Sequence, residues 1–355
     1  MGVIRASNLC TEIVQISSQY RIATCTLASI ALPKFILPGN AGVDYPRLHS
    51  VTKLVVHNLE KLIDVTDYPR DSAHDSAHDN RALGIGIQGL AETFATLELP
   101  FDSDDARRLN VRVFETIYHA ALETSSELAR RDTPCPSYLR SPASRGILQM
   151  DMWDAAPTGL HDFASLRQHI STFGLRHTML TAQMPTASSS QILGHSEGVE
   201  PYIRSGLFST LLTVLCSYAI GPTSSNIVQH RVLSGTFNEL SRPLVTALKA
   251  RGLWSARLRD EILAAKGSRL LSFINTTFMT FTFTYLGSVK NISDVPDDLK
   301  LVFRTAFELD PQVVVDLALD RSPYIDQSQS MNLYIATPTT PVLVRTDTPV
   351  FYCSS

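Results

Sequence analysis

Residues 8–12 read Asn8-Leu9-Cys10-Thr11-Glu12, and a second thiol follows within Ala23-Thr24-Cys25-Thr26-Leu27-Ala28-Ser29. In an extended segment the side chains at i, i+2 and i+4 share one face, so Asn8, Cys10 and Glu12 are expected to present an amide, a thiol and a carboxylate to one ligand. An amide, a thiol and a carboxylate turned to one ligand make a set suited to radical or acid/base chemistry. A cysteine in an apolar segment is more commonly a small core residue. The rest of the chain decides between the two.

Further blocks follow in order: Gly84-Ile85-Gly86-Ile87-Gln88-Gly89-Leu90, Phe114-Glu115-Thr116-Ile117-Tyr118, and Gly146-Ile147-Leu148-Gln149-Met150-Asp151-Met152-Trp153. Met184-Pro185-Thr186-Ala187-Ser188 and Tyr324-Ile325-Asp326-Gln327-Ser328-Gln329-Ser330 complete the series. Together with the two cysteine segments they resemble the large subunit of class I ribonucleotide reductase, and many matched blocks in order are far more specific than one motif. The resemblance implies an α/β fold: the second half of a ten-stranded α/β barrel, incomplete, with helical segments. It covers residues 1–336 and leaves 337–355 as a non-homologous tail.

The same resemblance implies the roles. Cys10 would be the thiyl radical that takes a hydrogen atom from C3′ of a ribonucleoside diphosphate, Glu12 the general base for the 3′-hydroxyl, and Asn8 the clamp on the ribose hydroxyls. Cys25 would be one half of the dithiol that supplies two electrons, although Thr26 stands where the family usually has Asn. A dithiol needs two sulfurs on Cα atoms within about 7 Å, and the family's other cysteine lies upstream of this segment. Pro185, Thr186, Ala187, Ser188 and Ser189 would bind the substrate diphosphate, since hydroxyls and free N–H groups at a helix start favour phosphate. Alone, such a Ser/Thr-rich turn is more often a helix cap.

The implied setting is deoxyribonucleotide biosynthesis for DNA replication. No cofactor is expected to bind this chain directly. The parent enzyme would draw its radical from a metal-containing small subunit, respond to ATP and deoxynucleotide effectors bound in the missing N-terminal half, pair as a homodimer, and be re-reduced by thioredoxin or glutaredoxin. The first half-barrel, the effector site and the terminal tyrosine pair that relays the radical are expected to be missing, so the isolated chain is expected to be an inactive fragment. The alternative reading is a truncated paralogue that binds nucleotide or the full reductase without catalysis.

Composition is compatible with this. The 355 residues are 44% hydrophobic, ample for a buried core. A net charge of −3 with 18% charged residues offers no basic face for a nucleic-acid backbone. Five unevenly spaced cysteines do not make a secreted disulfide framework, and with no signal-peptide layout the expected location is cytoplasmic.

Periodicity predicts a helix over Val51 to Ile63, ending before Tyr68-Pro69, and a long helix from about Ala106 to Arg130 behind the acidic Asp102-Ser103-Asp104-Asp105 start. The tandem Asp-Ser-Ala-His duplication at 71–78 is expected to be a solvated loop and not a metal site, despite His74 and His78 at i, i+4. Gly84 to Gly89 fits Gly-x-Gly-x-x-Gly, but Asp79-Asn80-Arg81 precede it where a dinucleotide fingerprint needs a hydrophobic strand. Those glycines are expected to let a helix pack closely. Cys135, in Pro134-Cys135-Pro136, is expected to be an incidental thiol.

Residues 206–229 and 270–289 carry no charged side chain and are long enough to raise the question of a membrane span. Thr, Ser and Asn dilute the second, neither has paired basic flanks, and no membrane association is expected. Because Pro201-Tyr202 and Lys266-Gly267 break off inside family blocks that resume near Ser225-Asn226-Ile227 and Ser288-Val289-Lys290, residues 203–223 and 268–287 read as insertions. Their similar length and abrupt junctions point to translated short introns. Finding both segments in mature messenger RNA would exclude that origin.

Overall fold

The computed structural model describes residues 3–202, 226–232, 235–264 and 288–334, and divides into two compact units. The expected insertions 203–223 and 268–287 and the tail 337–355 lie outside the described residues. Among the described residues no helix is long and apolar enough to cross a membrane.

The first unit comprises Met1–Gln88, Arg107–Thr186 and Leu317–Met331. Its centre is a row of parallel extended segments. Strand β1 (Thr26–Ala31) pairs in parallel with β2 (Leu83–Gln88), Thr26 opposite Leu83 through Ala31 opposite Gln88. A parallel bridge from Ile85 to Thr181 adds residues 179–183, and another from Gln183 to Gln329 adds 327–330. Ser328 N–H then donates to Glu12 O at 3.0 Å, bringing the N-terminal segment onto the far edge. Parallel neighbours need crossover connections of a dozen or more residues, and α1 (Tyr45–Val65) and α4 (Asp104–Asp132) lie within such connections. Sequential parallel segments with intervening helices are the construction of an α/β barrel.

Helix α1 starts earlier than its apolar period alone predicts. Asp44 accepts from Arg47 N–H, and Pro46 sits in the first turn, where its missing N–H costs nothing. It buries Leu48, Val56, Leu59 and Ile63, each worth roughly 1.5–3 kcal/mol of transfer free energy. Helix α4 begins at the acidic residues as expected, with Ser103 Oγ accepting from Ala106 N–H at 3.2 Å.

Two sequence expectations are corrected here. Residues Asp71–Asn80 form helix α2 rather than a loop. A four-residue repeat places equivalent residues on one helical face, so Ala73 and Ala77 are both buried, with Ser76 beside them. Arg81, left-handed at φ 46°, ends the helix. The Gly84–Gln88 stretch is strand β2, buried throughout, rather than helix. Its alternation puts Gly84 and Gly86 on one face, and a Cβ on Gly86 would lie 2.6 Å from Ala182 O, so the third segment's close approach requires the glycine.

A buried ionic cluster joins α1, the end of α2 and the approach to the third segment. Glu60 accepts from Arg81 Nε (2.8 Å), Arg176 Nε (2.8 Å) and His177 Nε2 (2.9 Å). Burial would push its carboxyl up, but these three donors outweigh that and hold it well below the usual carboxylate range.

The second unit comprises Gly89–Ala106, Ala187–Asp316 and Asn332–Ser355. It holds α3 (Leu90–Thr96), packed on the helix Arg242–Ala250, and an antiparallel hairpin of β3 (Ile227–Val232) and β4 (Gly235–Leu240). Asn226, just before β3, donates to Phe303 O at 2.7 Å, and Tyr202 O accepts from Ala306 N–H at 2.7 Å. Buried Leu244, Leu248, Leu258, Leu299 and Phe303 form its apolar interior.

Candidate active site

The N-terminal segment is not the extended strand expected from its spacing. Residues 8–11 form a turn, with Thr11 N–H bonded to Asn8 O at 3.1 Å and Thr11 left-handed at φ 60°. Asn8 Oδ1 accepts from Ile13 N–H at 3.1 Å, so this exposed amide holds the turn. The turn leaves Leu9 in solvent, Cys10 half-buried and Glu12 buried. Glu12 is fixed through its carbonyl, while its Oε2 is buried without a hydrogen-bond partner.

Cys25 lies one residue before β1, against Gly84, whose missing Cβ would stand 3.3 Å from the sulfur. Gln327 on the fourth segment donates to Cys25 Sγ at 3.3 Å and to Leu83 O at 2.9 Å. Its Oε1 accepts from Gln15 Nε2 at 3.2 Å and Val14 N–H at 3.4 Å. One side chain therefore ties the N-terminal segment, Cys25 and β2 together.

The electrostatics keep both sulfurs protonated. Burial pushes the Cys25 thiol up to about 12, with bonds from Gln327 and Gln15 opposing and the charges of Asp326 and Glu12 adding. Cys10 is raised by burial and then by Glu12, partly offset by a hydrogen bond with Ser330. Glu12 thus acts on both thiols. Asp326 is raised to about 6 by burial, against N–H donation from Leu180 and Thr181. Protonated sulfurs beside a carboxylate are poor nucleophiles, and they retain the hydrogen that a thiol must carry to exchange hydrogen atoms.

The Ser/Thr-rich turn continues from the third segment. Gln183 anchors its start: Oε1 accepts from Ile87 N–H at 3.0 Å, and Nε2 donates to Ile87 O and Met184 O, each at 3.0 Å. Pro185 is half-buried and Thr186 buried, closing the first unit. Ala187 opens the seven-residue helix α7 (Ala187–Leu193) in the second unit, with Ser188 and Ser189 exposed in its first turn.

The family model described as ribonucleotide reductase, barrel domain, matches residues 1–348. The chain belongs to the ribonucleotide reductase barrel-domain family. It is 42% identical over 339 residues to the ribonucleoside-diphosphate reductase large chain of Neurospora crassa, an alignment covering 96% of this chain and 32% of that one. It is 41% identical to the large subunit of Danio rerio, covering 95% of this chain and 37% of that one. Among solved structures it resembles the class Id ribonucleotide reductase alpha subunit of Actinobacillus ureae, with TM-score 0.65, 26% identity, and coverage of 98% of this chain and 51% of that one. The chain spans about a third of the length of these curated relatives. Its parallel segments and helices are accordingly a partial α/β barrel of the reductase type.

Within this family frame the structure brings Cys10, Glu12 and Cys25 into one electrostatic neighbourhood and gives Asn8 a local role in the turn. Sequence reasoning did not assign Gln15, Asp326, Gln327 or Ser330 to that neighbourhood. The block Tyr324 to Ser330 was the signal, since two glutamines and an aspartate in so short a run suit a segment that meets other buried polar groups.

Proposed function

We propose that this chain forms the thiol-bearing part of the catalytic site of a ribonucleoside-diphosphate reductase large subunit. The observation that carries the reading is Glu12: a buried carboxylate with one unpartnered oxygen, electrostatically coupled to both Cys10 and Cys25. An unpaired buried acceptor is costly unless a ligand satisfies it. A ribose 3′-hydroxyl donating to Glu12 would do so, while Cys10, as a thiyl radical, takes the C3′ hydrogen atom and returns it after reduction. Cys25 supplies one of the two sulfurs whose oxidation to a disulfide balances loss of the 2′-hydroxyl as water. Asn8, released from the turn, would hold ribose hydroxyls, and Pro185, Thr186, Ala187, Ser188 and Ser189 the diphosphate.

In this reading the radical comes from a metal-containing small subunit, the active assembly is a dimer of large subunits, and thioredoxin or glutaredoxin returns the electrons. Cysteine usage supports a cytoplasmic location. The test is calorimetric titration of cytidine diphosphate into the full chain. Wild type and Cys10→Ser are expected to bind alike, because Cys10 acts only in chemistry. Ser188→Asp, a like charge at the diphosphate turn, is expected to weaken binding at least tenfold. Equal binding by Ser188→Asp, or none by wild type, would count against the reading.

A further inference from the structure

Three histidines from separate parts of the first unit converge on one another. His49 is on α1, His119 on α4, and His161 just before α6 (Phe163–Phe173). One ligating atom from each lies within 4.8 Å of the others. The ring centroids are 5.3 Å (His49 to His119), 5.3 Å (His49 to His161) and 4.8 Å (His119 to His161) apart. With metal–nitrogen bonds of about 2.0–2.1 Å and tetrahedral angles, three ligating imidazoles have centroids roughly 5 Å apart.

Tautomers follow from the outer partners. Thr116 Oγ1 gives its proton to Arg112 O at 2.7 Å, so it accepts from His161 Nε2–H at 2.9 Å, which leaves the His161 Nδ1 lone pair available. His119 Nε2 lies 3.4 Å from Asp162 O, to which it can only donate, so His119 Nδ1 also carries a lone pair. That lone pair accepts from His49 Nε2–H at 3.0 Å, a proton that a bound cation would displace, and the spacing is close to the roughly 3.3 Å separation of two nitrogens on one tetrahedral ion. Donation of the second ring N–H to a carbonyl or hydroxyl is the outer support that metal-bound histidines use. The carboxylate of Glu123 has Oε2 3.6 Å from His49 Nε2, and the same oxygen is paired with Lys53 Nζ at 3.0 Å, so its charge is largely balanced.

We propose that His49, His119 and His161 form a three-histidine site for a divalent transition-metal ion of the zinc type, with solvent as fourth ligand, clasping α1, α4 and the entry to α6. Nothing in the thiol chemistry requires it.

The test is titration of zinc chloride into the chelator-treated full chain, followed by calorimetry and thermal unfolding. One zinc per chain and a raised melting temperature are expected, and cobalt(II) should give the visible absorption of a tetrahedral ion. His161→Phe and His49→Ala should each weaken binding at least a hundredfold, and Thr116→Val, which removes only the outer hydrogen bond, about 10–100-fold. If His161→Phe fails to fold by circular dichroism, His49→Ala on the half-buried face of α1 carries the test. The double variant His74→Ala/His78→Ala, which removes the stacked pair on α2, should bind as wild type. Absence of stoichiometric zinc binding, binding unchanged by His49→Ala, or binding abolished by the α2 double variant would overturn the proposal.

Discussion

Replacing Glu60 by Gln keeps the shape of the buried cluster and removes its one deeply buried negative charge. Arg81, with a side chain only 4% exposed, would then retain Asp64 at 2.8 Å, and Arg176 would retain the carbonyls of Asp132 and Thr133 at 3.2 and 3.1 Å. Breaking a buried ion pair by removing one partner costs about 3–5 kcal/mol. The surviving acceptors put this case at the lower end, about 3 kcal/mol. The two tryptophans divide between the units, Trp153 in the first and Trp254 in the second, so a Trp254→Phe background makes Trp153 fluorescence report the first unit alone. With a urea m-value of roughly 2 kcal/mol/M, the midpoint should fall by about 1.5 M. The pH dependence has a definite sign. Because the folded carboxyl of Glu60 is held below its ordinary value, its stabilisation is complete above the usual glutamate range and is lost as pH falls through and below it. Glu60→Gln should therefore remove part of the acid-induced loss of stability. A midpoint shift worth less than about 1 kcal/mol, or an unchanged acid limb, would refute the assignment of this cluster as a stabilising hub.

Alkylation should rank the described thiols. Raising Cys25 from 9.0 to about 12 makes its thiolate about a thousandfold rarer at pH 8, so iodoacetamide followed by mass spectrometry should label half-buried Cys10 before Cys25 and before buried Cys135, itself pushed to about 11. Labelling of Cys25 first would contradict its weaker acidity, since Cys10 and Cys25 are alike half-buried. At Gly86, a Cβ meets the backbone oxygen of Ala182 at 2.6 Å and Met184 Sδ at 3.0 Å. Gly86→Ala is thus expected to cost at least about 1–3 kcal/mol by Trp153-monitored unfolding; at Gly84 the nearest atom is the flexible end of Leu27, so Gly84→Ala should cost less, and the reverse order would be inconsistent with the strand packing.

What the sequence disclosed was set by the range of each interaction. The long helix behind Asp102-Ser103-Asp104-Asp105 was legible because its cap and apolar period are local. The Asp-Ser-Ala-His duplication reads as a loop because propensity favours turns for Ser and Asp, whereas burial of Ala73 and Ala77 overrides it in the folded chain. The alternating glycines looked helical in sequence, and only the approach of Ala182 explains why a strand needs them. At the site, Asn-x-Cys-x-Glu named the thiol and the carboxylate but not the turn, since the bond from Ile13 N–H to Asn8 Oδ1 competes with an extended backbone. Gln327 could not be assigned to Cys25 from either residue's neighbours. Nor could three histidines, two of them 70 positions apart, announce a shared centre.

The link from Gln327 to Cys25 spans 302 positions, and this has a meaning for synthesis. At roughly 5–20 residues per second, a ribosome that has made Cys25 needs about 15–60 s more to deliver the glutamine that covers it. Until then Cys25 lacks the hydrogen bond that Gln327 supplies. That part of the sulfur's setting is completed late in synthesis.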